Sequence, residues 1–233
     1  MKVEESIVIP FHNEQDNVEY VLRDLIKELN NGNHNYEIIA VDNASSDNTP
    51  KTIKNLSRTH NAVRYFYVGE KGYGNAIIEG LKQCKGEYLG YGWGDGQMSG
   101  KDVSKVFNIL KEKKLDLCKV KRIKRKDSNF RKIQSYGYNL LYRLLFPYIK
   151  FDILGDMNGC PKIMNRKTYE KLNISSKKWF IDTEIMIKAY KNKLKIEEIP
   201  TEFKKRKGGK SSLNLKVIKE FVKEAIKYKM NGY

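Results

Sequence analysis

Residues 37–50 read EIIAVDNASSDNTP. Glu37–Val41 is a β-type run, closed by Asp42. A polar loop with a second acid, Asp47, follows, and a helical pattern begins at Thr49 and Pro50. Pro50 suits a first helical position, where its missing N–H would be unpaired anyway, and Thr49 is expected to cap the helix. Strand, acid at the strand end, polar loop and helix form the repeating unit of an α/β chain.

The same unit recurs on both sides. Ser6–Ile9 is a short strand expected to stop at Pro10, and Asn17–Leu29 has helical spacing, with Val18, Val21, Leu22, Leu25 and Leu29 on one face. Downstream, strands are expected at Val63–Val68, Tyr88–Tyr91 and Leu115–Val120, with helices at Tyr73–Cys84 and Asp102–Glu112 between them. This alternation predicts an α/β fold with a mostly parallel, Rossmann-like sheet and flanking helices. Ligands of such sheets sit beyond the C-terminal strand ends.

The second half reads differently. Lys119–Lys132 carries eight basic residues and one acid, Asp127. Phe130, Ile133, Tyr136, Leu140, Leu141, Leu144, Leu145 and Tyr148 then recur at helical steps, predicting an amphipathic helix over 130–149. Short strands are expected at Lys162–Met164 and Ile196–Phe203, and a helix at Thr183–Tyr190. Val217, Ile218, Phe221, Val222, Ala225 and Ile226 mark a last amphipathic helix within 213–233. The expected organisation is a catalytic domain over 1–212, with a nucleotide-binding half at 1–122 and an acceptor-side half at 123–212, followed by that helix.

Charge divides the chain in the same way. Residues 1–100 hold 10 basic and 14 acidic side chains, and residues 101–233 hold 35 and 14. The second half therefore calls for an anionic partner: a phosphorylated substrate or an anionic membrane surface. No nucleic-acid-reading motif accompanies the charge, so nucleic acid is not an expected partner. Cys84, Cys118 and Cys160 lack metal or disulfide spacing and read as buried thiols in a reducing compartment. MKVEESIVIP is no secretory leader, and no apolar run reaches the roughly 18–20 residues that span a bilayer. The expected location is cytoplasmic, with any membrane contact peripheral and on the cytoplasmic face.

Four loops carry candidate chemistry. Ile7–Glu14 ends a strand in a polar turn suited to a base or ribose, or to capping a helix at Asn13 or Asp16. Asp42 and Asp47 suit a ribose or a base edge, or simple turn chemistry. Glu70–Ala76 is Gly-rich and opens a helix, which lets backbone approach a phosphate. Tyr91–Gln97 holds Asp95 and Gln97, oxygen ligands for a hard divalent cation, or else a glycine turn.

These four stretches, in this order and spacing, resemble family-2 glycosyltransferases, and among them the dolichyl- and polyprenyl-phosphate sugar synthases such as dolichyl-phosphate mannose synthase. Gly155–Gly159 resembles their acceptor-side segment, Phe180–Glu184 their acidic helix start, and Ile199-Pro200 with Lys205–Ser211 their closing basic loop. The resemblance implies a GT-A fold and transfer of a sugar, with inversion, from a UDP- or GDP-linked donor to a polyprenyl phosphate. It assigns Pro10, Phe11, Glu14, Asp42, Asp47, Lys71, Gly74 and Asp95 to the nucleotide sugar. Arg122, Arg131, Asn158, Arg206, Lys210 and Ser211 fall to the acceptor or its phosphate, and Asp95 and Gln97 to Mg²⁺ or Mn²⁺. Asp95, Asp182, Glu184 and Arg206 are the expected catalytic residues, with Asp182 or Glu184 as base if the acceptor is a saccharide hydroxyl. One position departs: Trp93 stands where the first acid of the metal motif belongs. That departure leaves open a weakened cation site, basic residues in its place, or an inactive binding module.

Overall fold

The computed structural model describes residues 2–123, 144–146, 156–202 and 215–230, with side chains from residue 220 onward in the last segment. Its strands are β1 (Glu5–Phe11), β2 (Tyr36–Asn43), β3 (Val63–Val68), β4 (Tyr88–Tyr91), β5 (Leu117–Ile123), β6 (Lys162–Asn165) and β7 (Ile196–Glu202). They form one sheet in the order β3-β2-β1-β4-β6-β5-β7. β6 runs antiparallel to β4 and β5, and the other pairings are parallel.

Helices cover both faces: α1 (Gln15–Asn31), α2 (Thr49–Thr59), α3 (Tyr73–Lys82), α4 (Gly100–Glu112), α5 (Arg166–Leu172), α6 (Ile181–Lys191) and α7 (Leu215–Met230). The twofold period of the strands sorts side chains between two cores. Ile7, Ile9 and Phe11 of β1 face a core shared with α1 and α4, while Val8 faces the opposite core, built largely with α3 and α6. This is why β1 and β2 read as nearly continuous apolar runs: both faces are covered.

Three details differ from the sequence expectation. β1 continues through Pro10 to Phe11, because β4 pairs with it only as far as Val8. Beyond Val8 the strand has a single partner, where a residue without an N–H is tolerated. Thr49 does not cap α2; it is the first helical residue, after Asn48. The short helix α5 had no clear periodic signal; Asn165 caps it by accepting from the Thr168 amide at 2.8 Å.

α7 buries Phe221, Ala225 and Tyr228 and leaves Ile226 exposed, so Tyr228 extends the buried stripe where Ile226 was expected. Of the expected helix over 130–149, only residues 144–146 lie within the described segments; Phe146 is buried and meets the Tyr228 ring edge-on at 6.3 Å. Cys84, Cys118 and Cys160 are buried free thiols.

Candidate active site

The chain runs β1, β2, β3 outward on one side, then returns to place β4 against the other side of β1. A crevice opens at such a switch point, beyond the C-terminal strand ends. The loops after β1, β2 and β4 meet there and carry the sequence-predicted acids.

The first two loops are tied to each other. Asn13 (φ 53°) and Ala44 (φ 52°) adopt left-handed backbone, turning both loops inward. Asn13 Oδ1 accepts from the Ser46 amide at 2.8 Å, and the Asn13 amide donates to Ser45 Oγ at 3.1 Å. The Glu14 amide donates to Thr49 Oγ1 at 2.9 Å, which explains why that hydroxyl is unavailable as a cap.

Asp42 is buried at the end of β2, where Oδ1 accepts from the Ser45 amide at 3.0 Å and Oδ2 from the Tyr65 hydroxyl at 3.3 Å. Asp47 accepts from the amides of Thr49 at 2.9 Å and Gln15 at 3.2 Å. Burial raises its pKa, but these hydrogen bonds outweigh it and hold the carboxyl below its ordinary value. Glu14 Oε2 accepts from Asn17 Nδ2 at 2.6 Å, so this side chain also braces the start of α1. Pro10 is half-buried at the crevice. Phe11 is fully buried, with Gly94 lying close over its ring, and it supports the β4 loop from beneath rather than lining a pocket.

The Gly-rich turn has a different use from the expected one. A Cβ on Gly74 would sit 2.2 Å from the Ser176 carbonyl oxygen and 2.5 Å from that of Lys178. The Asn75 amide, in the first turn of α3, donates to the Lys177 carbonyl at 2.7 Å. The close approach that Gly74 permits is therefore taken by the 175–178 segment of the chain itself, not by a phosphate. Lys71 is exposed beside it.

Glu184 anchors that segment. Fully buried, its carboxylate accepts from the Ser175 and Ser176 amides, the Ser175 hydroxyl at 2.9 Å and Lys188 Nζ at 2.6 Å. Burial opposes ionisation, yet these partners hold the Glu184 pKa below its ordinary value. Asp182 is also buried. Its Oδ1 accepts from the Tyr91 hydroxyl at 2.7 Å and pairs with the fully buried Lys162 ammonium. Burial disfavours a charged Lys162, and Asp182 more than offsets that, raising its pKa.

The neighbouring strands repeat the pattern. Arg122 grips Asp156 through Nε and Nη2, the latter at 2.7 Å from Oδ1. Burial pushes the Asp156 carboxyl up, but the Arg122 guanidinium wins and holds it well below the usual carboxylate range. Lys119, fully buried, pairs with Glu198. Asn158 sits half-buried in the turn after Asp156.

Asp95 and Gln97 lie in the turn after β4, where Gly96 takes φ +76° and Asp95 Oδ1 accepts from the Gln97 amide at 3.1 Å. Trp93 cannot ligate a cation, since an indole N–H only donates. It donates to the Tyr73 hydroxyl at 3.1 Å, and the Arg122 guanidinium stands 5.3 Å from its ring. No group of three or more His, Cys, Asp or Glu side chains among the described residues could hold a metal. One carboxylate with a nearby amide fits a cation that arrives with a diphosphate and is completed by its oxygens; it does not fit a resident ion. Arg131, Arg206, Lys210 and Ser211 lie outside the described residues.

Sequence reasoning missed Tyr73, Trp179, Tyr91, Asp156, Lys119 and Lys162 as site-forming residues. Two lysines inside apolar strands, LCKV and KIMN, were the available signal: a buried ammonium needs a partner, and the partner is a neighbouring acid.

This mixed sheet, with acids beyond the ends of β2 and β4 flanking its switch-point crevice, is a GT-A fold. The family model for glycosyl transferase family 2 matches residues 6–172, and the chain belongs to that family. It is a nucleotide-sugar-dependent glycosyltransferase. It is 25% identical to the dolichyl-phosphate β-glucosyltransferase of Saccharomyces cerevisiae over 92% of this chain and 71% of the relative. It is 28% identical to the dolichol-phosphate mannosyltransferase of Pyrococcus furiosus over 96% of this chain and 62% of the relative. Glucosyl-3-phosphoglycerate synthase of Mycobacterium tuberculosis, solved with Mn²⁺ and UDP, shares the fold with a TM-score of 0.72 at 16% identity, covering 96% of this chain and 77% of that one.

Proposed function

We propose that this chain transfers a hexose from a nucleoside diphosphate to a polyprenyl phosphate. The observation that carries the acceptor class is the state of Asp182 and Glu184. Both acids are buried and engaged, Asp182 by Lys162 and Tyr91, Glu184 by two serine amides and Lys188. A sugar hydroxyl acceptor needs a base within reach of its proton. A phosphate monoester is already anionic near neutral pH and needs none. The names of the two curated relatives, one a glucosyl and one a mannosyl transferase to dolichyl phosphate, support the same acceptor.

In this reading a phosphate oxygen attacks the anomeric carbon as the bond to the diphosphate oxygen breaks, giving inversion in one displacement. Asp42 and the loops after β1 and β2 hold the nucleoside. Asp95 and Gln97 would hold Mg²⁺ or Mn²⁺ against the diphosphate, and the cation would offset charge on the leaving group. Arg122, Arg131, Asn158, Arg206, Lys210 and Ser211 are assigned to phosphate recognition. The basic second half draws the enzyme to the anionic cytoplasmic face of a membrane. No helix among the described residues is long and apolar enough to cross one.

The test is nucleotide release from UDP- and GDP-sugars with and without polyprenyl phosphate. Release that depends on the lipid and falls about 100- to 1,000-fold in Asp95→Asn supports the reading. Release driven equally well by a saccharide without lipid phosphate contradicts it.

A further inference from the structure

Trp93 is the position at which the sequence departs from the family-2 pattern it resembles, and the structure shows what surrounds it. Trp93 Nε1 donates to the Tyr73 hydroxyl at 3.1 Å. The Tyr73 ring stacks on Trp179, with centroids 4.8 Å apart and planes at 16°. Trp179 directly follows the 175–178 segment that Gly74 admits and that the Glu184 carboxylate anchors at Ser175 and Ser176. Tyr73 is thus fixed in ring plane by one tryptophan and in hydroxyl orientation by the other.

The direction of the hydrogen bond matters. An indole N–H only donates, so the Tyr73 oxygen is the acceptor and its own proton points elsewhere. Among the described residues, no group accepts that proton at hydrogen-bonding distance. Burial, with the Asp182 charge and a smaller push from Asp95, outweighs the Trp93 hydrogen bond and holds the phenol well above its ordinary pKa, so it stays protonated across the neutral range. A half-buried phenol whose proton meets no acceptor among the described residues, and whose Trp93 partner stands two residues from Asp95, is placed to donate to a ligand oxygen.

We propose that the Tyr73 hydroxyl binds the donor: it gives a hydrogen bond to an anionic oxygen of the nucleoside diphosphate, on the side of the site where the family's first metal-binding acid is replaced by Trp93. A neutral donor there would offset part of the diphosphate charge directly, without acting through a cation. An anionic oxygen left facing an indole would meet one N–H at most, whereas Trp93 here aligns the stronger phenol donor toward it. The inference rests on the nucleotide-sugar reading and assigns a further binding residue to it.

Both tryptophans of the chain flank Tyr73, so tryptophan fluorescence, excited selectively over tyrosine, reports on this spot. The experiment titrates UDP and GDP into wild type, Tyr73→Phe and Trp93→Phe, in Mg²⁺ and in EDTA, by calorimetry and by fluorescence. Tyr73→Phe keeps the stack on Trp179 but removes the acceptor of Trp93 Nε1, so its thermal midpoint should fall by a few degrees at most and the fold should persist. Its affinity for the nucleotide that wild type prefers is expected to fall roughly 10- to 100-fold in both media. Trp93→Phe, which keeps the phenol but frees its rotor, is expected to lose less. Wild-type affinity in Tyr73→Phe overturns this inference and leaves the proposed function standing. Failure of wild type to bind either nucleotide overturns both.

Discussion

Around the crevice, the acids of the loop after β2 and the acids beside β5 and β6 are held by different means. On the nucleotide side, Asp42 and Asp47 are held by backbone amides and neutral hydroxyls: Ser45, Thr49, Gln15 and Tyr65. On the acceptor side, Asp156 is held by the half-buried Arg122, and Asp182 and Glu198 by the fully buried Lys162 and Lys119. Amide-held acids leave room for a neutral ligand edge and cost little if lost. Cation-held acids form a rigid floor in which each charge depends on its partner, because an unpaired buried charge is far more costly than an unpaired hydrogen bond. The basic excess of the second half is thus not this floor, whose charges cancel in pairs; it lies in side chains outside these pairs.

Substitutions can break this contrast. The largest effect is expected at Asp182→Ala, which leaves the fully buried Lys162 ammonium without its carboxylate and should cost about 3–5 kcal/mol in urea unfolding. Adding Lys162→Met should recover most of that loss, since two matched charges are then absent. If the double variant stays as unstable as the single one, the floor is not a set of paired charges.

Acid should act next, on both sides of the crevice. Asp47, Glu184 and Asp156 have folded-state pKa values below their ordinary ones. The unfolded chain therefore takes up protons first, and stability present above about pH 4.3 is lost as pH falls through and below that value. Glu184→Gln should flatten the pH dependence of the urea midpoint between about pH 5 and 3. An unchanged slope would mean that Glu184 is not held by its amides and Lys188 as described.

The smallest effect is expected on the nucleotide side. Asp47→Ala removes an acceptor for two amides in a partly exposed loop and should cost about 1 kcal/mol, while weakening nucleotide binding. A loss as large as that of Asp182→Ala would erase the distinction between the two sides of the crevice.

Much of this was legible in the sequence because β1 to β4 and their helices are local, periodic and punctuated by acids at strand ends. Asp42 and Asp95 could be placed beyond a sheet from that pattern alone. What was not legible depends on pairing across distance. β6, inserted antiparallel between β4 and β5, brings Lys162 to Asp182, and no periodicity announces that pairing. Gly74 read as a phosphate turn because a glycine before a helix signals close backbone approach; only the fold shows that the approaching backbone is Ser176–Lys178. Glu184 was a candidate base only through the resemblance of Phe180–Glu184 to the family's acidic helix start, and its amide partners lie upstream in a loop without pattern.

The most direct test of the central claim is mass spectrometry of the lipid product. Wild type would be incubated with a UDP- or GDP-hexose, polyprenyl phosphate and Mg²⁺ or Mn²⁺, and the lipid fraction examined for a hexosyl phosphodiester. The account predicts a lipid gaining one hexose on its phosphate, labile to mild acid, and nearly absent with Asp95→Asn. Hexose appearing instead on a saccharide hydroxyl, with the polyprenyl phosphate unchanged, would contradict it.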